Sequence, residues 1–340
     1  MSKNMKITEI VKDSKKLGKE KAGSFSFFKN LIAYGDYDGE INLLSYPSLE
    51  KICSVKLFSN SCDGVQISDD KIICLGTEVS QSLSKPSDWK ATLKILNQEC
   101  KLEKTIDLRA GNWNMVKNNF QNSVILYDSS EDQGAVCFDV NSGEKIWELH
   151  SGSFIRANLY DEELFLMSHG QELFILNKNN GQLKFNKKLP DIDGIEWNSA
   201  IPFQGHILLG GNKKTKVFLV DWDPVNDSAE RLWKSKISDI FSEEIIMNSE
   251  DDEDCGYDLS NVSNLIWLSN KKLALIIGGD GERLGVCTSA SAIGITEMSK
   301  NIHFKFKLIN PLEGNSGVGL VTNNKLLVDC GGTLKLLEVL

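Results

Sequence analysis

The chain has 340 residues, a formal net charge of −9, 41% hydrophobic and 25% charged residues, an ordinary balance for a globular protein. The acidic excess argues against a nucleic-acid surface over the whole body, because phosphate binding needs clustered Lys and Arg. No run approaches the roughly 18 apolar residues of a membrane span, and residues 1–21 carry no apolar core of a secretory signal, so a cytoplasmic or nuclear protein, neither secreted nor membrane-bound, is expected.

Residues Met5 to Val11 alternate apolar and polar and predict a strand, followed by a lysine-rich connector from Lys12 to Gly23. Leu31 to Leu44 reads as a hairpin turning on Asp38-Gly39, since both residues tolerate positive φ. Lys51 to Leu57 supplies an outer strand. A second unit follows, with strands near Gly64–Ile67, Lys71–Gly76, Ala91–Leu96 and Lys104–Leu108, interrupted by a Ser/Pro-rich excursion from Glu78 to Trp89.

The clearest hairpin runs from Ala135 to Trp147 and turns on Asn141-Ser142-Gly143. A looser copy at Leu173 to Phe185 aligns Asp139 with Asn177, Gly143 with Gly181 and Trp147 with Phe185. A hairpin that recurs at nearly fixed spacing is one unit of a repeat array. A fifth unit lies between Glu196 and Lys234, a sixth resumes at Asn264, and a last one occupies Gly317 to Val339. That last unit offers three strands, and the orphan strand at Met5 to Val11 would supply the fourth. The expectation is therefore an all-β, seven-bladed β-propeller closed by an N-terminal strand that completes the last blade. It would be a single domain over residues 1–340, with an acidic loop insertion at about 243–258.

The hairpin Phe138 to Trp147 resembles the quinoprotein-dehydrogenase-like (PQQ-like) repeat, whose consensus is close to ALD-x-x-TGK-x-x-W. Tyr34 to Leu43 and Cys330 to Leu336 instead resemble the SGS-x-DGTIKLWD region of WD repeats. Both resemblances imply propeller architecture and neither fixes a chemistry. A quinone-dependent enzyme of the first class would be secreted, carry adjacent cysteines and hold calcium in its funnel. This chain has no Cys-Cys pair, so no cofactor is expected.

Eight cysteines are scattered without CxxC spacing, which predicts free thiols in a reducing compartment. The four histidines lack ligand spacing, so no metal is expected. His150, His169, His206 and His303 read as turn or rim residues. Asp36, Asp128, Asp280 and Asp329, each just after a second strand, read as acceptors for turn amides. Gly278 to Glu282 lacks the Lys-Ser/Thr of a phosphate loop and reads as a turn.

Two features carry the functional expectation. Trp113 and Trp197 each begin a unit after polar residues, and with Trp89 in the Ser/Pro excursion they are candidate exposed anchors for a partner. Glu243 to Asp258 contains no Lys or Arg and includes Glu250, Asp251, Asp252, Glu253 and Asp254. Such a segment suits electrostatic docking to a basic protein surface, and Ser249 lies in an acidophilic-kinase context. The expectation is a non-catalytic intracellular scaffold or complex subunit that binds protein. The alternative is a propeller hydrolase or lactonase with a metal or acid/base site at the channel mouth.

Overall fold

A computed structural model describes residues 7–9, 15–16, 22–36, 38–68, 70–78, 90–116, 122–130, 134–150, 152–213, 216–236, 239–240, 261–269, 271–283, 286–298, 302–310, 318–322, 325–329 and 333–339. Among these, six four-stranded antiparallel sheets follow one another along the chain, and a further sheet joins the two ends of the sequence. Two compact units result: Lys15–Asn186, and Met1–Ser14 with Lys187–Leu340.

In the first unit, the first sheet runs Ala22–Phe28, Leu31–Asp36, Glu40–Ser45 and Lys51–Lys56. The second is Ser61–Ile67, Lys71–Glu78, Lys90–Asn97 and Leu102–Asp107; the third is Trp113–Met115, Ser123–Asp128, Ala135–Asp139 and Lys145–Leu149. The fourth is Phe154–Tyr160, Glu163–Ser168, Glu172–Asn177 and Leu183–Lys188. The middle strands carry near-continuous apolar runs such as Ile72 to Leu75 and Val124 to Leu126, all fully buried. Strands covered on both faces need such runs, whereas outer strands alternate. Lys51–Lys56 and Leu102–Asp107 alternate exposed with partly buried positions.

Burial is shared between consecutive sheets. One core joins Ala33, Ile41 and Leu43 of the first sheet to Cys62, Ile67, Ile72, Cys74 and Cys100 of the second. Another joins Ile73, Leu75 and Leu93 to Trp113, Leu126 and Val136. At the inner edge the amides of Val65 and Ile67 donate to the hydroxyls of Ser24 and Ser26, both at 3.1 Å. A buried amide left unpaired there would cost about 1–3 kcal/mol. In the second unit Leu265 N–H donates to Ser199 Oγ at 3.1 Å, the same arrangement.

In the second unit Ile7–Glu9 pairs antiparallel with Thr333–Val339, through Ile7–Val339, Thr8–Glu338 and Glu9–Leu337. The N-terminal strand thus does extend the C-terminal sheet. The glycine-rich stretch departs from expectation: Gly278 to Glu282 lies within the strand Lys272–Arg283, which pairs along its whole length with Val286–Glu297. The glycines continue a long hairpin there and form no turn. The free-thiol expectation also fails for one pair, because Cys53 and Cys100 form a disulfide between the first and second sheets. Cys62, Cys74 and Cys137 are free and buried.

Candidate interaction surface

Four of the outer strands carry a register slip that leaves one residue out of the ladder. In the first sheet Lys51 pairs with Leu44 and Cys53 with Leu43, which leaves Ile52 unpaired. In the second, Leu102 pairs with Leu96 and Lys104 with Ile95, leaving Glu103. In the third, Lys145 pairs with Phe138 and Trp147 with Cys137, leaving Ile146. The fifth sheet, Glu196–Phe203, His206–Lys213, Lys216–Asp223 and Ser228–Lys236, does the same and leaves Leu232 between Arg231 and Trp233. A bulge of this kind re-aims side chains on either side of the extra residue.

The residue after the bulge reaches for the next sheet. Trp147, only 6% exposed, donates its Nε1–H to the Lys178 carbonyl at 2.7 Å. Its indole lies against Gly181, where a Cβ would sit 2.8 Å from the ring, and Gly181 has φ +69°. Both facts favour glycine at that turn. Lys104 Nζ donates to the carbonyls of Asn141, at 3.0 Å, and Ser142. Cys53 forms its disulfide with Cys100, in the turn that follows Lys90–Asn97. Trp233 packs edge-on against Phe304, with ring centroids 4.7 Å apart.

The turns that receive these side chains share a construction. Asp139 Oδ1 accepts the amides of Asn141 and Ser142 at 2.9 and 2.7 Å. Asn177 Oδ1 accepts those of Asn179 and Asn180, and Asn97 Oδ1 those of Glu99 and Lys101. The Asp139 carboxyl lies below the usual range chiefly because of the bond from the Ser142 amide.

At two of these four bulges, the first and the third, the residue left out is an exposed aliphatic. Ile52 is 51% exposed and Ile146 46%; Leu102, beside its bulge, is 52% exposed, and Leu183 on the fourth outer strand 46%. Ion pairs flank these aliphatics: Lys51–Glu40 at 3.4 Å and Lys184–Glu163 at 2.9 Å. Between the second and third sheets Glu148 binds both Arg109 and Lys145. Burial alone would raise the Glu148 carboxyl. The bond from Lys145 and the charges of Arg109, Lys145 and His150 outweigh it, so its pKa lies below the ordinary value. The rim of this unit therefore presents aliphatics set among neutralised charges, and sequence reasoning did not single it out. The available signal was the aliphatic–tie-residue pair in Ile52-Cys53 and Ile146-Trp147.

Two of the residues expected to bind a partner lie elsewhere. Trp113 and Trp197 are 2% and 1% exposed, which corrects the expectation that they project from entry loops. Each indole is turned inward and tied to the preceding linker: Trp113 Nε1–H donates to the Arg109 carbonyl and Trp197 Nε1–H to the Pro190 carbonyl, both at 2.8 Å. A buried indole needs such an acceptor, and these linkers supply it four and seven residues upstream. Trp89, Glu250, Asp251, Asp252, Glu253, Asp254 and Ser249 lie outside the described residues.

The histidines do not converge among the described residues. His169 Nε2 lies 3.1 Å from the Ser129 carbonyl, and His206 Nδ1 lies 3.2 Å from the Asp221 carboxylate. No group of three or more His, Cys, Asp or Glu placed to hold a metal occurs among the described residues. Asp36 accepts the Glu40 amide at 2.8 Å, a turn role as expected. Asp128, fully buried, accepts from the Ser130 hydroxyl at 3.0 Å. No helix among the described residues is long and apolar enough to cross a membrane.

No family model matches the chain, and no curated protein matches it. Among solved structures it is similar to the crystal structure of BamB from Moraxella catarrhalis, with a TM-score of 0.52 and 13% identity, covering 93% of this chain and 83% of that one. At that identity the likeness is one of fold, and with the run of four-stranded antiparallel sheets it supports a propeller-like architecture. Because 1311 solved chains share the likeness, it does not single out an activity.

Proposed function

We propose that the chain is a non-catalytic intracellular scaffold or complex subunit that binds protein partners. In this reading it is a seven-bladed propeller of degenerate WD-like or quinoprotein-dehydrogenase-like repeats, closed by the N-terminal strand. The observation that carries the binding role is the rim just described: Ile52, Leu102, Ile146 and Leu183, on the outer strands of four consecutive sheets, stand 46–52% exposed. Apolar side chains offered repeatedly along one edge, among charges already paired, lose little on desolvation and gain from burial. The acidic stretch from Glu250 to Asp254 supplies a second, electrostatic contact for a basic partner.

The test compares affinity capture by the wild-type full chain with capture by two variants, analysed by quantitative mass spectrometry. One carries Ile52→Lys, Leu102→Lys, Ile146→Lys and Leu183→Lys, and the other replaces Glu250 to Asp254 with Gly and Ser. A partner lost from either folded variant supports the reading; identical partner sets from all three refute it. For closure, deleting Met1 to Lys12 should lower the midpoint of thermal unfolding, because the edge of the C-terminal sheet is opened. An unchanged midpoint refutes closure. The buried free thiols Cys62, Cys74 and Cys137 accord with a reducing compartment, which fractionation of the tagged full chain tests. The Cys53–Cys100 bond fits that compartment only if it turns over.

A further inference from the structure

Of the ties between consecutive sheets, the first is the one that redox chemistry can make and break. Lys104 and Trp147 hold their neighbours by hydrogen bonds and packing, which thiols and oxidants do not alter. Cys53 occupies the same post-bulge position and holds the second sheet through a covalent bond to Cys100. Its position on an outer strand leaves it partly exposed, whereas Cys100 is 6% exposed. A small thiol therefore reaches the bond from the Cys53 side. The free cysteines described in this unit do not compete. Cys62, Cys74 and Cys137 are buried, and burial pushes the Cys137 thiol up to about 12. Their burial keeps all three out of reach of a small thiol.

We propose that Cys53–Cys100 is a reversible redox clasp that fixes the rim strand Lys51–Lys56 to the neighbouring sheet, and that its reduction loosens this strand while the unit stays folded. The surroundings support both halves. Without the bond, the turn around Cys100 keeps its shape, since Asn97 Oδ1 still accepts the amides of Glu99 and Lys101 and the Asn97 carbonyl accepts that of Cys100. The two sheets also remain joined by the core of Ala33, Ile41, Phe58, Ile67, Ile72 and Leu96. The strand Lys51–Lys56 is different. It is a sheet edge held by one ladder, to Glu40–Ser45, which the bulge at Ile52 already interrupts. Losing the bond therefore frees Ile52 and the start of that strand first, where stability is lowest.

The reductant is a dithiol. One of its thiolates attacks the Cys53 sulfur, the S–S bond breaks, and Cys100 leaves as a thiolate that takes up a proton. The second thiol of the reagent, as its thiolate, then displaces Cys53, which is protonated in turn, and the reagent closes to a cyclic disulfide. Two electrons and two protons pass from reagent to protein, and oxidised glutathione reverses the change through a mixed disulfide.

The experiment uses the full chain purified without reductant. Thiol alkylation and peptide mapping are combined with hydrogen exchange before and after dithiothreitol, and again after oxidised glutathione. The expected result is a linked Cys53–Cys100 peptide that dithiothreitol opens. Exchange over residues 51–56 should then rise about tenfold, residues 123–128 should not change, and oxidised glutathione should restore the original rate. Cys53→Ser should show the faster exchange without reductant and no response to it. Alkylation of Cys53 and Cys100 before reduction overturns the proposal, as does unchanged exchange over 51–56. A rise of equal size over 123–128 and 163–168 overturns it too, because the bond would then be a crosslink on which the whole fold depends. If Cys53→Ser does not fold, the wild-type arms decide.

Discussion

The joint between the first and second sheets and the joint between the third and fourth are the same piece of backbone filled with different chemistry. In both, one residue is left out of the ladder at the start of the outer strand, Ile52 in one and Ile146 in the other, and the next side chain reaches into the following turn. At the first joint that side chain is Cys53, bonded to Cys100; at the other it is Trp147, lying on Gly181 with its N–H on the Lys178 carbonyl. The bulge sets the direction, and any side chain of suitable reach completes the tie. The joint between them uses Lys104 on the exposed carbonyls of Asn141 and Ser142, so one unit fills the same position with three different chemistries.

The comparison breaks most visibly at the tryptophan. Trp147→Ala removes a buried indole and leaves a carbonyl and a glycine turn facing a void, so chemical denaturation should report a loss of about 3–5 kcal/mol. A loss below about 1 kcal/mol would mean that the turn holds itself. Cys53→Ser should cost about 2–4 kcal/mol under oxidising conditions, and nothing relative to wild type once both are in dithiothreitol. A difference that persists in reductant would assign the cost to packing around Cys53 and not to the bond. Lys104→Met keeps the aliphatic stem and removes the two hydrogen bonds at an exposed site, for which about 0.5–1.5 kcal/mol is expected. A larger loss would make the lysine an equal of the indole.

The smallest effect concerns Glu148, which ties Arg109 and Lys145 beside the tryptophan joint. Its carboxyl lies below the ordinary 4.5 in the folded chain, so the folded state binds that proton less readily than the unfolded one. The stabilisation is fully present above the unfolded value and is lost as pH falls through the folded value. Glu148→Gln should therefore flatten the acid limb of stability against pH and leave the slope near neutrality unchanged. An unaltered acid limb would show that the pair contributes nothing.

The hairpin at Ala135–Trp147 was legible because three local signals agree: a run of apolar residues, an Asx turn on Asp139, and a glycine at φ +74°. The alignment of Asp139 with Asn177 was legible for the same reason, since both side chains cap the same turn amides. The direction of Trp113 and Trp197 is not legible, because a strand-start tryptophan among polar neighbours has no period to say which way it faces. What decides is a linker carbonyl, Arg109 or Pro190, whose position is set by tertiary structure. The Cys53–Cys100 bond was illegible in another way. Its partners are 47 residues apart, and only the register of two sheets brings a post-bulge position against a turn. Gly278 to Glu282 reads as a turn because glycine is common in turns, but the pairing of Lys272–Arg283 with Val286–Glu297 runs straight through it.

The bulges in four of the outer strands also bear on whether a second copy of the chain can pair with them. An outer strand is an open edge, and a flat edge with regular spacing invites a second molecule to pair with it. Here the register slips by one residue at Ile52, Glu103, Ile146 and Leu232, and lysine or arginine stands beside the slip at Lys51, Lys104, Lys145 and Arg231. A like strand approaching from outside would meet a misplaced amide and a second positive charge before it could zip. The irregularity that aims each tie at its neighbour thus also keeps the rim from templating its own aggregation.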